Sequence, residues 1–238
     1  MNVAIMQPYF FPYIGYFQLI HAVDTFVVYD DVHFIKKGWI HRNRILIYGN
    51  PHPITLPIQK MSQNRLICDH ERSQPDEIVE QQLKLLRHAY HKAPQFEHVF
   101  PLLERVIRHP ERNVGKYLAY SIEEVARYLG ISTTFILSSE LNAGVGLKGQ
   151  ARILNICEHL RATHYVNAIN GMDLYDTEVF EQAGIDLSFI ETEPIIYHQE
   201  SCPFQANLSI IDVMMHCPKQ EIQLILERYA LVSNRQVT

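Results

Sequence analysis

The sequence predicts an α/β protein built on a Rossmann-like parallel sheet, and three observations lead there. Short β-branched and aromatic runs end in turn-forming or acidic residues, as buried parallel strands do. These runs alternate with stretches whose apolar residues recur at helical spacing. The first such group, residues 3–29, reads directly as strand, helix, strand.

Residues 3–6 (VAIM) are the first strand, and Pro8, Pro12 and Gly15 punctuate the loop before a helical pattern at Phe17, Leu19, Ile20 and Ala22. Residues 25–29 (TFVVY) form the second strand, closed by Asp30 and Asp31. ILIYG and PITLPIQ, residues 45–49 and 53–59, flank Gly49, Asn50 and Pro51 and predict a hairpin, with Pro53 and Pro57 favouring an edge. Three amphipathic helices follow at 75–91, 95–108 and 113–129, interrupted near Pro94 and Pro110; this helical insertion, residues 75–129, is the most separable part of the chain. The α/β rhythm returns as TTFILSS, KGQARILNICEHL, THYVN, DTEVFEQAG and IDLSFI, and Ser209–Tyr229 predicts a helical C-terminus broken at Pro218. A single domain of 238 residues with one main core accommodates all of this.

Composition narrows the function classes. With 47% hydrophobic and 20% charged residues the chain is an ordinary globular one, and its net charge of -5 argues against general nucleic-acid binding. Cys68, Cys157, Cys202 and Cys217 show neither CxxC spacing nor scaffold density, so reduced, mostly buried thiols are expected. No apolar run reaches the roughly 18–20 residues of a transmembrane helix, and the N-terminus lacks an export signal, which predicts a cytoplasmic protein. His88 and His91 lie three apart on a predicted helix, but no third ligand stands out and no metal site is assigned.

Ligands of open parallel sheets sit at the carboxyl ends of the strands, and the polar residues of this chain gather there in five clusters. The first is the stiff aromatic loop after the first strand, where Gln7, Tyr9 and Tyr13 suit stacking on a sugar face or a base, and Phe10, Phe11 and Phe17 suit the core. The second runs from Asp30 to Arg44: Lys36, Lys37, His41, Arg42 and Arg44 surround Trp39, the only tryptophan, and form a local anion site in an acidic protein. Asp30 and Asp31 suit a general base or a divalent ion, and equally a turn or cap. The third cluster, Gly144, Gly146 and Gly149 with Lys148, Gln150 and Arg152, precedes a helix whose amides favour anions. The fourth gathers Asn167, Asn170, Asp173, Tyr175 and Asp176 at a strand end. The fifth is Asn207, Ser209 and Asp212, with Ser209 read chiefly as a helix N-cap. Because a βαβ unit sets its strand ends side by side, Gln7, Asp30 and Arg42 are expected to face one cleft.

The strand, proline-bearing loop and glycine layout resembles the nucleotidyltransferase and class I synthetase (HUP) fold. Its histidine-x-glycine-histidine tetrad corresponds here to Tyr13, Ile14, Gly15 and Tyr16, so both imidazoles are absent. Taken in order, QPYFFPYIGYFQLI, YDDV, IKKGWIHRNRI, KGQARILNI, THYVN, LYD and NLSIIDVMM identify the chain as a member of the WbqC-like family over essentially its whole length. It departs from the family pattern at Asn170 and at Gln205-Ala206. The resemblance implies a transferase in O-antigen or other surface-polysaccharide biosynthesis, a glycine transferase acting on a nucleotide-linked or lipid-linked amino sugar. Under it Asp30 or Asp31 is the base and Lys37, Arg42 or Asn43 the oxyanion donor. The sequence fixes no cofactor, although an adenylation step would need ATP with Mg. The alternatives are a non-catalytic sugar-nucleotide-binding or scaffold protein serving polysaccharide-pathway enzymes, and a nucleotidyltransferase-like enzyme.

Overall fold

The computed structural model describes residues 1–199 and 203–233. The chain runs β1 (Asn2–Met6), α1 (Ile14–His21), β2 (Thr25–Val28), β3 (Arg42–Ile47), β4 (Asn50–Thr55), α2 (Asp76–Tyr90), α3 (Phe96–Arg108) and α4 (Val114–Leu129). It continues with β5 (Thr134–Leu137), α5 (Gly149–His159), β6 (His164–Ala168), α6 (Thr177–Gln182), β7 (Asp186–Thr192), α7 (Ile210–His216), α8 (Lys219–Leu226) and β8 (Tyr229–Val232).

One six-stranded sheet has the order β5-β2-β1-β6-β7-β8, parallel except for β8, which pairs antiparallel to β7. Numbered by their own succession these strands read 3-2-1-4-5-6, the doubly wound order in which the direction of growth reverses between β1 and β6. The first βαβ unit is parallel with Val3 beside Thr25 and Met6 beside Val28, as the sequence predicts.

Side chains alternate across each strand, and both sheet faces are covered. Ala4, Phe26, Val28, Val166 and Ile190 pack on the face that carries α1–α4, α7 and α8. Val3, Ile5, Val27, Tyr165, Leu187 and Phe189 face α5 and α6. The three helices expected over 75–129 appear within a residue or two of their predicted bounds. They sit between β4 and β5 in chain order and share the larger core with α1.

Two expectations shift. The hairpin strands begin at Arg42, three residues early, and turn at Tyr48 and Gly49, whose φ values of 50° and 73° suit a two-residue turn matched to strand twist. They form a separate two-stranded sheet rather than an edge of the main one. The helical tail breaks at Pro218 as expected and ends at Leu226; Tyr229, its expected last residue, instead opens β8, where Tyr-Ala-Leu-Val has strand chemistry. No helix among the described residues is long and apolar enough to cross a membrane.

Candidate functional site

A cleft of about 740 Å³ opens at the reversal point, between the loops that leave β1 and β6. Ligands of doubly wound sheets bind in this position. One wall is the loop of residues 7–13, which is held hard. Asn43 Nδ2 donates to the carbonyls of Phe10 at 3.2 Å and Phe11 at 2.7 Å, and Ser209 Oγ donates to Phe11 at 2.8 Å. These three hydrogen bonds hold the loop with Phe11 at φ 43°, a left-handed conformation that costs a non-glycine residue of order 1 kcal/mol or more. Phe10, Phe11 and Phe17 are core residues, while Tyr9 and Tyr13 reach the cleft half-buried. Burial raises both phenol pKa values, so each hydroxyl stays protonated at neutral pH. Gly15 is required for closeness: a Cβ there would lie 2.5 Å from the Tyr13 ring and 3.1 Å from Thr192 Oγ1.

Trp39 and Arg44 line the same cleft, the guanidinium 5.7 Å from the ring centroid. Arg44 forms no ion pair among the described residues, so its charge is available to an anion. Glu191 and Glu193 line the far wall at the end of β7; Glu193 is engaged by Arg228 Nε at 3.2 Å, and Glu191 is exposed. Tyr197 closes the floor, and Asn207, exposed at φ 56°, stands at the rim.

A second cleft, about 530 Å³, lies among the loops after β2, β5 and β6. Arg152 forms an ion pair with Asp31, donates to the Asp31 carbonyl at 3.2 Å, and lies 5.0 Å from the Tyr29 ring centroid. Lys148, Gln150 and Tyr175 complete it; Gln150 Oε1 accepts from Asp176 N at 2.6 Å, and the Tyr175 and Tyr165 hydroxyls meet at 3.2 Å. Asn167 is buried nearby, its Oδ1 taken by Ala168 N at 2.8 Å, whereas Asp173 is exposed and lines neither cleft.

Gln7, Asp30 and Arg42 do not share a cleft. Asp30 is buried and ties β2 to the chain beyond β5, accepting from Ser138 Oγ at 3.1 Å, Ser139 N at 3.0 Å and Ser139 Oγ at 2.8 Å. Burial raises its pKa, with the Ser139 and Ser138 hydrogen bonds acting against that rise. Arg42 donates to the carbonyls of Gly38 and Lys37 and closes its own loop; Lys37 itself is exposed outside both clefts. Gln7 offers its carbonyl to Tyr16 Oη at 2.9 Å and lines neither cleft. Asn43 is a clamp on the aromatic loop, its amide spent on backbone carbonyls.

Ser209 caps α7 as expected, accepting from Ile211 N at 3.3 Å. Asp212 does not cap: wholly buried, it accepts from Tyr90 Oη at 2.8 Å, Tyr197 Oη at 2.7 Å and Gln199 Nε2 at 3.1 Å, and so orients the Tyr197 floor. Burial raises the thiol pKa of Cys68 to about 11 and those of Cys157 and Cys217 to about 12; Cys202 lies outside the described residues. His88 packs edge-on against Tyr48 with ring centroids 5.3 Å apart. Among the described residues, no group of three or more His, Cys, Asp and Glu side chains is placed to hold a metal ion.

Sheet order and cleft position define an α/β protein of doubly wound order with an aromatic, arginine-bearing cleft at the point where the strand order reverses. Residues 7–224 match the model of the WbqC-like protein family, and the chain belongs to that family. Its sequence is similar to uncharacterized protein Rv1507c of Mycobacterium tuberculosis, 26% identical over 217 residues, which span 90% of this chain and 93% of that one. No solved structure matches the chain.

Proposed function

We propose that the large cleft binds an amino sugar carried on a nucleotide or a lipid, and that the protein is a transferase placing a glycyl group on it during surface-polysaccharide assembly. The observation that supports this reading is the meeting of Tyr9, Tyr13 and Trp39 with Arg44 at the reversal point of the sheet. Aromatic faces stack on a pyranose or a base at low entropic cost, and a guanidinium takes a phosphate in a bidentate contact. A sugar carrier supplies both groups. Among the described residues, Glu191 is the carboxylate lining this cleft without an ion pair, placed to take a proton from the sugar amine as the amine forms the amide bond to an activated glycyl carbonyl and the bond from that carbonyl to its activating group breaks, the activating group leaving with the electron pair. If that glycyl group arrives by adenylation, ATP with Mg is consumed and AMP is the group that leaves, the Mg being carried by the ATP phosphates and water.

Tyr16 supports a second reading, as a sugar-nucleotide-binding protein without turnover that serves polysaccharide-pathway enzymes. It stands where the nucleotidyltransferase tetrad has a histidine, and its buried hydroxyl is spent on the Gln7 carbonyl. One experiment separates the two. The protein is incubated with labelled glycine, ATP-Mg and UDP- or dTDP-linked amino sugars, and mass spectrometry reads the sugar while calorimetry reads binding. A glycylated sugar supports transfer, and binding without product supports the second reading. Arg44→Ala is expected to weaken binding about ten- to a hundredfold, from about 1.5–3 kcal/mol for a charge-assisted contact. Absence of binding to every nucleotide-linked and lipid-linked sugar offered overturns both.

A further inference from the structure

We propose that the crest of the sheet, where both clefts open, docks on an anionic membrane surface. All five parallel strands end on this side, and their loops carry large apolar side chains outward rather than into a core. Val145 after β5 is 82% exposed, Leu174 after β6 70% and Ile196 after β7 73%; Ile35, Trp39 and Leu147 are half-exposed beside them. These residues share a side by more than topology. Leu147 and Leu174 border one cleft, and Trp39 and Ile196 border the other.

The charges between these tips indicate what covers them. Ile35 is followed by Lys36 and Lys37 and then Trp39, Leu147 is followed by Lys148, and Arg44 stands beside Trp39. These four cations form no ion pair among the described residues, and Arg152 beside them is paired with Asp31. Among the described residues, the acidic groups in the loops on this side are Asp30, held by Ser138 and Ser139, Asp31, held by Arg152, Glu140, 3.7 Å from Lys116, Glu193, held by Arg228, and Asp173, Asp176 and Glu191. In a chain of net charge -5, apolar tips interleaved with unpaired lysines match a bilayer interface, where aliphatic side chains enter the acyl boundary, tryptophan lies at headgroup depth and lysines meet anionic lipid. An apolar protein groove would match the tips and leave the lysines without partners. Docking would set both cleft mouths at the lipid headgroups. That favours a lipid-linked over a nucleotide-linked sugar, a corollary that alone rests on the function proposed above.

Trp39, the single tryptophan, is a built-in reporter. The full chain is mixed, without substrate, with vesicles of phosphatidylcholine alone or containing phosphatidylglycerol. Trp39 emission is expected to shift to the blue, to be quenched by brominated acyl chains, and to follow protein that co-sediments with the phosphatidylglycerol vesicles only. Each basic residue at an anionic surface strengthens binding about fivefold, so Lys36→Glu is expected to weaken partitioning at least that much and added salt to abolish most of it. The combination Ile35→Ser, Val145→Ser and Leu174→Ser, all exposed positions, is expected to remove the blue shift while the circular dichroism spectrum stays unchanged. Protein that remains in the supernatant with every vesicle, or variants that sediment like the wild type, overturn the proposal. Neither result depends on what the cleft turns over.

Discussion

Removing the Asp212 carboxylate tests what holds α7, the α2 end and the cleft floor together. The side chain is wholly buried and accepts two tyrosine hydroxyls and one amide; the His216 ring nitrogen Nδ1 lies 3.8 Å away. In Asp212→Ala, Gln199 Nε2 keeps the Tyr197 hydroxyl and the Gln205 carbonyl as acceptors, but the Tyr90 and Tyr197 hydroxyls lose theirs. A buried donor left without a partner costs about 1–3 kcal/mol, so the two together cost about 2–6 kcal/mol. Tyr90→Phe deletes donor and desolvation cost at once and leaves the carboxylate its other partners, so about 1.5–3 kcal/mol is expected there. The three-way ordering is the discriminating result: Asp212→Ala worse than Tyr90→Phe or Tyr197→Phe, and the pairwise cycles non-additive because all three share one carboxylate. Urea unfolding followed by circular dichroism, with a constant m-value, reads these differences. An Asp212→Ala loss below about 1 kcal/mol, or strict additivity with both tyrosine variants, refutes the network as a stabilising unit.

Two further predictions concern Asp30. Burial holds its pKa above the ordinary carboxylate value, so between the two values the folded chain binds more protons than the unfolded one and the stability it contributes falls as pH rises. Asp30→Asn abolishes that titration; urea midpoints measured across the acid range should therefore shift in the wild type's favour as pH drops through this window, and a constant difference would contradict the assignment. A Cβ on Gly115 in the first turn of α4 would lie 2.9 Å from Asp30 Oδ2 and 3.0 Å from Asp30 Cβ, and Ser138 and Ser139 pin that carboxylate. Gly115→Ala, which stabilises an open helix by about 1 kcal/mol, should here cost about 1–3 kcal/mol and lower the Tm by several degrees; an unchanged or raised Tm would show that the clamp yields.

The helices of residues 75–129 were legible because each carries an apolar stripe at helical spacing and a proline or capping residue at its bounds, with Asn113 accepting from Lys116 N at 3.0 Å. The parallel strands were legible as β-branched runs, but β8 was not, since four apolar residues after a helix fit either structure until a partner strand is known. The site was legible only as a set of strand ends. Which ends meet depends on the side to which each loop turns, and the doubly wound order sends them to both. The loop after β1 leads to α1 on one face of the sheet, and the loop after β5 leads to α5 on the other, so the five clusters divide between two clefts. Asp212 finds Tyr90 from 122 residues away, a pairing with no local trace. Within the basic run, Arg42, Asn43 and Arg44 are equally plausible donors by composition. The start of β3 separates them: Arg42 closes the preceding turn, Asn43 points inward to the carbonyls of the aromatic loop, and Arg44 is left facing the cleft. A strand beginning three residues later, as the sequence suggested, leaves all three in a loop with nothing to choose among them.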